Sequence, residues 1–289
     1  MFKNFKQDII EVNGVNINYK IGGKGEPLLL LHGYPQSHVL WRKIAPLFAE
    51  NYTVICSDLR GYGDSDKPQS DKKHLTYSKK TMGLDQNELM KKLGFKEYFL
   101  VGHDRGGRVA HRMAIDFKEN IKKISVLDIV PTSHVFKNTN AILAKRYYHW
   151  FFLIQSYPLP ETMIGNDPEY YIRSKLQMWG ANNEYLTEEI IQEYLRCFTT
   201  ETIQASCEDY RAGASIDLVH HEEDFDKKIS CPLQVLWGSK AFIEELYDPI
   251  KVWKEWALNV EGQSIDCGHF LPEESPVETY NAIINFFKK

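Results

Sequence analysis

Short apolar runs alternate with amphipathic segments along the first half of the chain. Residues 9–20 alternate apolar and polar side chains around Asn13-Gly14, which predicts an antiparallel hairpin. Residues 27–31 and 52–56 are continuous apolar runs, typical of central strands that are covered on both faces. Residues 78–93 have the spacing of an amphipathic helix. This order predicts an α/β fold with a mostly parallel sheet and crossover helices.

The second half of the chain contains a long interruption of this pattern. From residue 133 to residue 220 aromatic side chains are dense, helical spacing replaces strands, and a proline-rich stretch occurs at 157–160. We therefore predict a core domain of residues 1–132 and 221–289, with a helical cap domain of residues 133–220 inserted into it. The remaining predicted strands are 98–101, 124–130, 232–237 and 264–266, and the remaining predicted helices are 37–48, 248–257 and 276–287.

Composition narrows the function classes. The 289 residues are 43% hydrophobic and carry a formal net charge of -4 without a basic stripe, so we do not expect a nucleic-acid partner. No apolar run has the length of a membrane span, and no secretory leader is visible, so a cytoplasmic protein that does not contact a membrane is the expectation.

Neither the cysteines nor the histidines have the spacing of a metal site. The five cysteines include no Cys-x-x-Cys pair, which argues against a thiolate zinc site or a disulfide framework. His220 and His221 adjoin three acidic residues, but they are not spaced to share one helix face. We expect this stretch to be a solvated loop at the cap boundary, and no metal to be bound.

The candidate chemistry centres on a glycine-flanked turn between a predicted strand and a predicted helix. Gly102 and Gly106 lie two residues on either side of Asp104, which is the spacing of a nucleophile elbow. An aspartate there could also be a helix cap, but capping requires neither the flanking glycines nor the adjacent Arg105 and Arg108. An aspartate nucleophile attacks an sp³ carbon and forms an ester that water then hydrolyses.

Other strand ends supply further candidates. His32-Gly33-Tyr34-Pro35 follows a predicted central strand, where backbone N–H groups can face a cleft. Asp128 lies near the carboxyl end of another strand, and His269 follows a glycine after the last one. Asp104, Asp128 and His269 thus occur in the order nucleophile, acid, histidine. Acids on the loop after the next strand remain alternatives for the second position, namely Glu244, Glu245 and Asp248.

Over nearly its whole length, the chain resembles the fluoroacetate dehalogenases, which are α/β-hydrolases with an aspartate nucleophile. The residues that carry the resemblance are 32–37, 58–63, 102–108, 148–150, 207–211 and 268–270. The resemblance implies the α/β-hydrolase fold with an inserted cap, and hydrolysis of haloacetates to glycolate through an aspartyl ester. It also implies a homodimer, a small anionic substrate and no cofactor.

The resemblance further implies a role for each of several side chains. Asp104, Asp128 and His269 would form the catalytic triad, and the N–H groups of Tyr34 and Arg105 would form the oxyanion hole. The other implied roles are substrate carboxylate binding by Arg105 and Arg108, halide binding by His149, Trp150 and Tyr210, and lining of the cap side of the pocket by Lys175 and Trp179. Two guanidinium groups suit a planar carboxylate, although Asp64, Asp104 or a cap acid could instead pair them.

Three other functions fit parts of the pattern. An epoxide hydrolase shares the fold and the aspartate nucleophile, and Tyr148 and Tyr210 could then act as acids, but a neutral epoxide has no use for paired arginines. Haloalkane dehalogenases commonly have a halide-binding tryptophan where this chain has Arg105. A non-catalytic receptor on the same scaffold would not require the triad.

Overall fold

Eight strands form one twisted sheet in the computed structural model, which describes residues 1–289. The strand order is β1-β2-β4-β3-β5-β6-β7-β8, with β1 and β2 antiparallel to their neighbours and the other pairs parallel. The strands are β1 (Lys6–Val12), β2 (Val15–Gly23), β3 (Glu26–Leu31), β4 (Tyr52–Ser57), β5 (Tyr98–His103), β6 (Ile121–Leu127), β7 (Leu233–Gly238) and β8 (Val260–Ile265). The predicted hairpin and parallel sheet are therefore confirmed.

Helices connect the strands and cover both faces of the sheet. In the core they are α1 (Ala45–Phe48), α2 (Lys79–Lys92), α3 (Arg105–Asp116), α12 (Phe242–Leu246), α13 (Pro249–Lys254), α14 (Leu271–Glu274) and α15 (Pro276–Lys288). Between β6 and β7 lie α4 (Thr132–Lys137), α5 (Ala141–Arg146), α6 (Tyr148–Leu153), α7 (Leu159–Gly165), α8 (Pro168–Trp179), α9 (Glu188–Cys197), α10 (Thr200–Gly213) and α11 (Ile216–Glu223).

The two faces of the sheet pack into two separate cores. Along β3, Leu29 and Leu31 join the larger core, whereas Leu28 and Leu30 join the smaller core on the opposite face. This alternation follows from the two-residue period of a strand. It explains why β3 is apolar at successive positions and appears in the sequence as an unbroken run.

Three sequence predictions need correction. The stretch predicted as one helix at 37–48 is a 3-10 turn (His38–Lys43) followed by the short α1, because Pro46 has no N–H to continue the preceding turn. The last strand begins at Val260 and not at residue 264. The sequence pattern missed its first residues because this edge strand is largely polar. His220 and His221 lie in the last turn of α11 and not in a loop, and His221 is buried.

None of the helices has both the length and the apolar character needed to cross a bilayer.

Candidate active site

The turn after β5 holds Asp104 at the start of α3 in a left-handed backbone conformation, with φ of 47°. Its side chain makes no capping bond to the helix, so capping does not account for the carboxylate. The turn requires close backbone approach, because a Cβ on Gly106 would lie 2.2 Å from the carbonyl oxygen of His32. The sequence around Asp104 thus folds into a strained elbow that presents the carboxylate.

The loop after β3 contacts this carboxylate directly. The N–H of Tyr34 donates a 2.8 Å hydrogen bond to Oδ1 of Asp104. A Cβ on Gly33 would lie 2.5 Å from Cβ of Asp104, so glycine permits this approach. The N–H of Arg105, the first residue of α3, has no acceptor within its own helix. Both N–H groups that the sequence assigned to an oxyanion hole are therefore adjacent to Asp104 in the fold.

A histidine and a second acid are hydrogen-bonded to each other. Nδ1 of His269 lies 2.5 Å from Oδ2 of Asp128, whose other oxygen accepts the N–H of Gly238 at 3.1 Å. Burial would lower the pKa of His269, but the hydrogen bond and charge of Asp128, together with the charge of Asp104, raise this pKa above its ordinary value. With Nδ1 bonded to Asp128, Nε2 is the nitrogen left to act as a base.

The three alternative acids are engaged elsewhere. Glu244 accepts a hydrogen bond from the indole N–H of Trp237 at 3.1 Å, and Glu245 pairs with Arg146 at 3.2 Å. Asp248 caps α13 through the N–H of Lys251. The structure therefore joins His269 to Asp128.

A small cavity lies at Asp104. It is lined by Asp104, Asp128, Tyr147, His149, Trp179, Ala241, Phe242 and His269. The sequence prediction included Asp104, Asp128, His149, Trp179 and His269 but missed Tyr147, Ala241 and Phe242. Ala241 and Phe242 are apolar residues at the start of α12, far along the chain, and no local pattern marks them as part of a site.

His103 is a further residue that the sequence prediction missed. It directly precedes Asp104, is fully buried, and donates from Nε2 to the carbonyl oxygen of His269 at 2.8 Å. Burial and the nearby His269 lower the pKa of His103 to about 3, so its ring stays neutral. The bond holds the loop of His269 against the elbow.

The two arginines that follow Asp104 are not among the lining residues of this cavity, and they have different environments. Arg105 donates from Nε to Oδ2 of Asp209 at 2.9 Å, and from Nη2 to Oδ1 and to the carbonyl oxygen of the same residue at 2.7 Å. Arg108 donates from Nη1 to the carbonyl oxygen of Val130 at 2.8 Å and to Thr132 at 3.1 Å, and its buried Nε has no partner. No carboxylate forms an ion pair with Arg108, whereas a cap acid neutralises Arg105.

Asp209 belongs to a buried network between α10 of the cap and the core. It also accepts from the hydroxyl of Tyr62 at 2.6 Å and pairs with Lys79. Arg105 and Lys79 hold the pKa of Asp209 well below its ordinary value, despite full burial. The sequence prediction allowed for a cap acid as the partner of an arginine but could not identify it, because Asp209 lies 104 positions from Arg105.

The predicted halide-binding side chains lie together, with His149 in the cavity wall and Trp150 and Tyr210 outside the lining residues. The ring of Tyr210 lies 5.7 Å from that of His149 and 6.0 Å from that of Trp150. The Tyr210 hydroxyl and Nδ1 of His149 are buried without a hydrogen-bond partner. The guanidinium carbon of Arg108 lies 4.5 Å from the centre of the Trp150 ring. Unpartnered buried donors are costly unless a ligand engages them.

Of the two residues predicted on the cap side, Trp179 lines the cavity and Lys175 lies one layer behind it. Lys175 is buried and donates to the hydroxyl of Tyr148. Tyr148 is 41% exposed and its hydroxyl is engaged by Lys175, so it does not fit the role of an epoxide acid.

Comparison with known proteins agrees with this architecture. The family described as alpha/beta hydrolase fold matches residues 26–276. A fluoroacetate dehalogenase of Burkholderia sp is 41% identical over 99% of this chain and 95% of its own length. A soluble epoxide hydrolase of Corynebacterium sp. (strain C12) is 34% identical over 96% of this chain and 95% of its own. The crystal structure of ALR0039 from Nostoc sp PCC 7120 superposes with a TM-score of 0.98, at 54% identity and 99% coverage of both chains.

Proposed function

The chain belongs to the alpha/beta hydrolase family, and we propose that within this family it hydrolyses the carbon–halogen bond of fluoroacetate and related haloacetates. The products are glycolate and the halide ion. Asp104 is the nucleophile, His269 is the base, and Asp128 orients His269.

The observation that supports a haloacetate best is the state of Arg108. Its guanidinium group is 5% exposed, has an unpartnered Nε, and forms no ion pair. Burial and the nearby charge of Arg105 lower its pKa to about 10, so the environment disfavours this cation. A substrate carboxylate would supply both the missing counter-charge and an acceptor. A neutral substrate would supply no counter-charge.

In the first half of the reaction, Oδ2 of Asp104 attacks the α-carbon of the bound haloacetate. The new carbon–oxygen bond forms as the carbon–halogen bond breaks, and the bonding pair leaves with the halide. Hydrogen bonds from His149, Trp150 and Tyr210 stabilise the charge that develops on the halogen. His149 suits this task as a neutral donor, because burial and nearby cations lower its pKa well below its ordinary value.

In the second half, Nε2 of His269 takes a proton from a water molecule that attacks the ester carbonyl of Asp104. The carbonyl oxygen is Oδ1, which already accepts the N–H of Tyr34. The tetrahedral intermediate therefore develops its negative charge where this donor already lies. The intermediate collapses as His269 returns the proton to the glycolate oxygen, and the second proton of the water, left on the Asp104 carboxyl group, is released to solvent, which regenerates the carboxylate.

Epoxide hydrolysis is the second candidate function, and one observation favours it. Asp209 neutralises Arg105, so only one arginine remains free for a substrate carboxylate. The hydroxyl of Tyr210 is unpartnered and could protonate an epoxide oxygen. Against this function, Tyr148 is partly exposed with its hydroxyl engaged by Lys175, and a neutral His149 is a poor acid.

The experiment that decides between the two is a paired assay of the purified protein. A fluoride electrode measures fluoride release from fluoroacetate, and chromatography measures diol formation from styrene oxide. We expect repeated turnover of fluoroacetate and little diol. Diol formation without fluoride release would refute the proposed function, and fluoride release limited to one equivalent would indicate a protein that does not turn over.

A further inference from the structure

Lys175 is a buried lysine without an acidic partner. Its side chain is 1% exposed, and its single hydrogen bond is to the hydroxyl of Tyr148. The ammonium lies 3.8 Å from the centre of the Tyr148 ring, 5.3 Å from that of Tyr171 and 5.5 Å from that of Trp179. Such an aromatic enclosure stabilises a cation only in part, and a buried charge without a counter-ion is costly. Removal of this charge should therefore not destabilise the fold.

The charge of Lys175 acts on the cavity through the residues between them. Trp179 lies near both groups, because its ring centre is 5.5 Å from the Lys175 ammonium and 4.6 Å from the centre of the His149 ring. After burial, the charge of Lys175 is the largest cause of the lowered pKa of His149. Lys175 therefore contributes positive potential at the side of the cavity where His149 lies.

We infer that Lys175 is a positioning residue that supplies the positive potential for anion binding at His149 and keeps His149 a neutral N–H donor. The inference rests on the proposed function for its biological meaning, because a departing halide is the anion concerned. Lys175 adds a positive charge near that site without contacting the halide. An epoxide oxygen that must take up a proton would gain nothing from a cation that keeps His149 unprotonated.

The inference predicts a dependence on pH. Burial lowers the pKa of Lys175 to about 8, so its charge should be lost as pH rises from about 7 to about 9.5. The groups that face Lys175 are Tyr148 and Tyr171, whose pKa values are both raised and which therefore stay neutral over this range. Around His149 the charged groups are Arg105, Arg108 and His269. The proton on His269 and, near pH 9.5, that on Arg108, whose pKa is lowered to about 10, can also change in this range, and Lys175→Arg controls for both.

The test uses bromide as the probe, with quenching of tryptophan fluorescence as the signal. The full-length wild type, Lys175→Met and Lys175→Arg are titrated with sodium bromide at about pH 7 and about pH 9.5. We expect wild-type affinity to fall about tenfold or more between the two pH values, because a unit charge within several ångströms is lost. Lys175→Met should bind weakly at both, and Lys175→Arg should bind tightly at both. Lys175→Gln replaces Lys175→Met if the latter does not fold.

The outcomes separate this inference from the proposed function. Wild-type affinity for bromide in Lys175→Met at pH 7, an unchanged pH loss in Lys175→Arg, or no bromide binding by the wild type would overturn the role of Lys175. Bromide binding with the expected pattern, but no fluoride release from fluoroacetate, would refute the proposed function and leave the role of Lys175 standing.

Discussion

Replacement of Arg108 by lysine should reduce fluoroacetate turnover while it spares an uncharged analogue. Nη1 of Arg108 is held by Val130 and Thr132, which leaves Nε and Nη2 as an edge for the substrate carboxylate. A lysine that keeps the Val130 contact has at most one donor to offer in place of this edge. The lost charge-assisted hydrogen bond is worth about 1.5–3 kcal/mol, which corresponds to a loss of roughly 10- to 150-fold in kcat/KM.

The assay compares kcat/KM for fluoroacetate and fluoroacetamide, both followed by fluoride release. Arg108→Lys should lower the ratio of kcat/KM for fluoroacetate to that for fluoroacetamide by roughly 10- to 150-fold. Arg105→Lys is the matched control, because Nε and Nη2 of Arg105 already donate to Asp209, and its ratio should change less. Equal losses on both substrates in Arg108→Lys, or a larger change of ratio in Arg105→Lys, would refute the assignment of Arg108 as the main carboxylate ligand.

Three further substitutions test other parts of the account. Trp150→Phe deletes one N–H donor and should reduce fluoroacetate turnover by roughly a hundredfold. Chloroacetate turnover should fall much less, because fluoride concentrates its negative charge more than chloride does. An unchanged ratio of kcat/KM for the two substrates would remove Trp150 from the site. Gly33→Ala places a Cβ 2.5 Å from the Cβ of Asp104. It should lower kcat by roughly a hundredfold or more while the circular dichroism spectrum stays unchanged. Wild-type turnover in this variant would contradict the tight packing of the loop. Burial lowers the pKa of His221 to about 3, so the unfolded chain takes up this proton first on acidification. His221 should therefore contribute about 2 kcal/mol to the stability lost between about pH 7.5 and about pH 5 in urea unfolding. His221→Phe should reduce the loss by this amount, and an equal loss in both proteins would disprove it.

Much of the fold could be predicted from local patterns. Period-two alternation, unbroken apolar runs and helical spacing indicated the hairpin, the parallel sheet and the longer helices. Only the end of the edge strand β8 was predicted, because a polar and partly exposed strand has no apolar run. The elbow around Asp104 could be predicted because its flanking glycines are needed for close backbone contacts within a few residues.

The rest of the candidate site depends on contacts between distant parts of the chain. The ion pair of Arg105 with Asp209 and the bond from His103 to the His269 loop join residues more than a hundred positions apart. Ala241 and Phe242 line the cavity only because the β7 loop approaches the cap. These contacts arise from the packing of α10 and the loops against the elbow, and no local pattern encodes them.

The most direct test of the central claim is to trap the ester on Asp104. His269→Ala removes the base for the second half-reaction but leaves the elbow and its Tyr34 donor in place, so fluoroacetate should carboxymethylate the protein once, with one equivalent of fluoride released. Peptide mapping by mass spectrometry should locate this modification on Asp104. An inactive, folded variant that remains unmodified, or a modification on any other residue, would contradict the account.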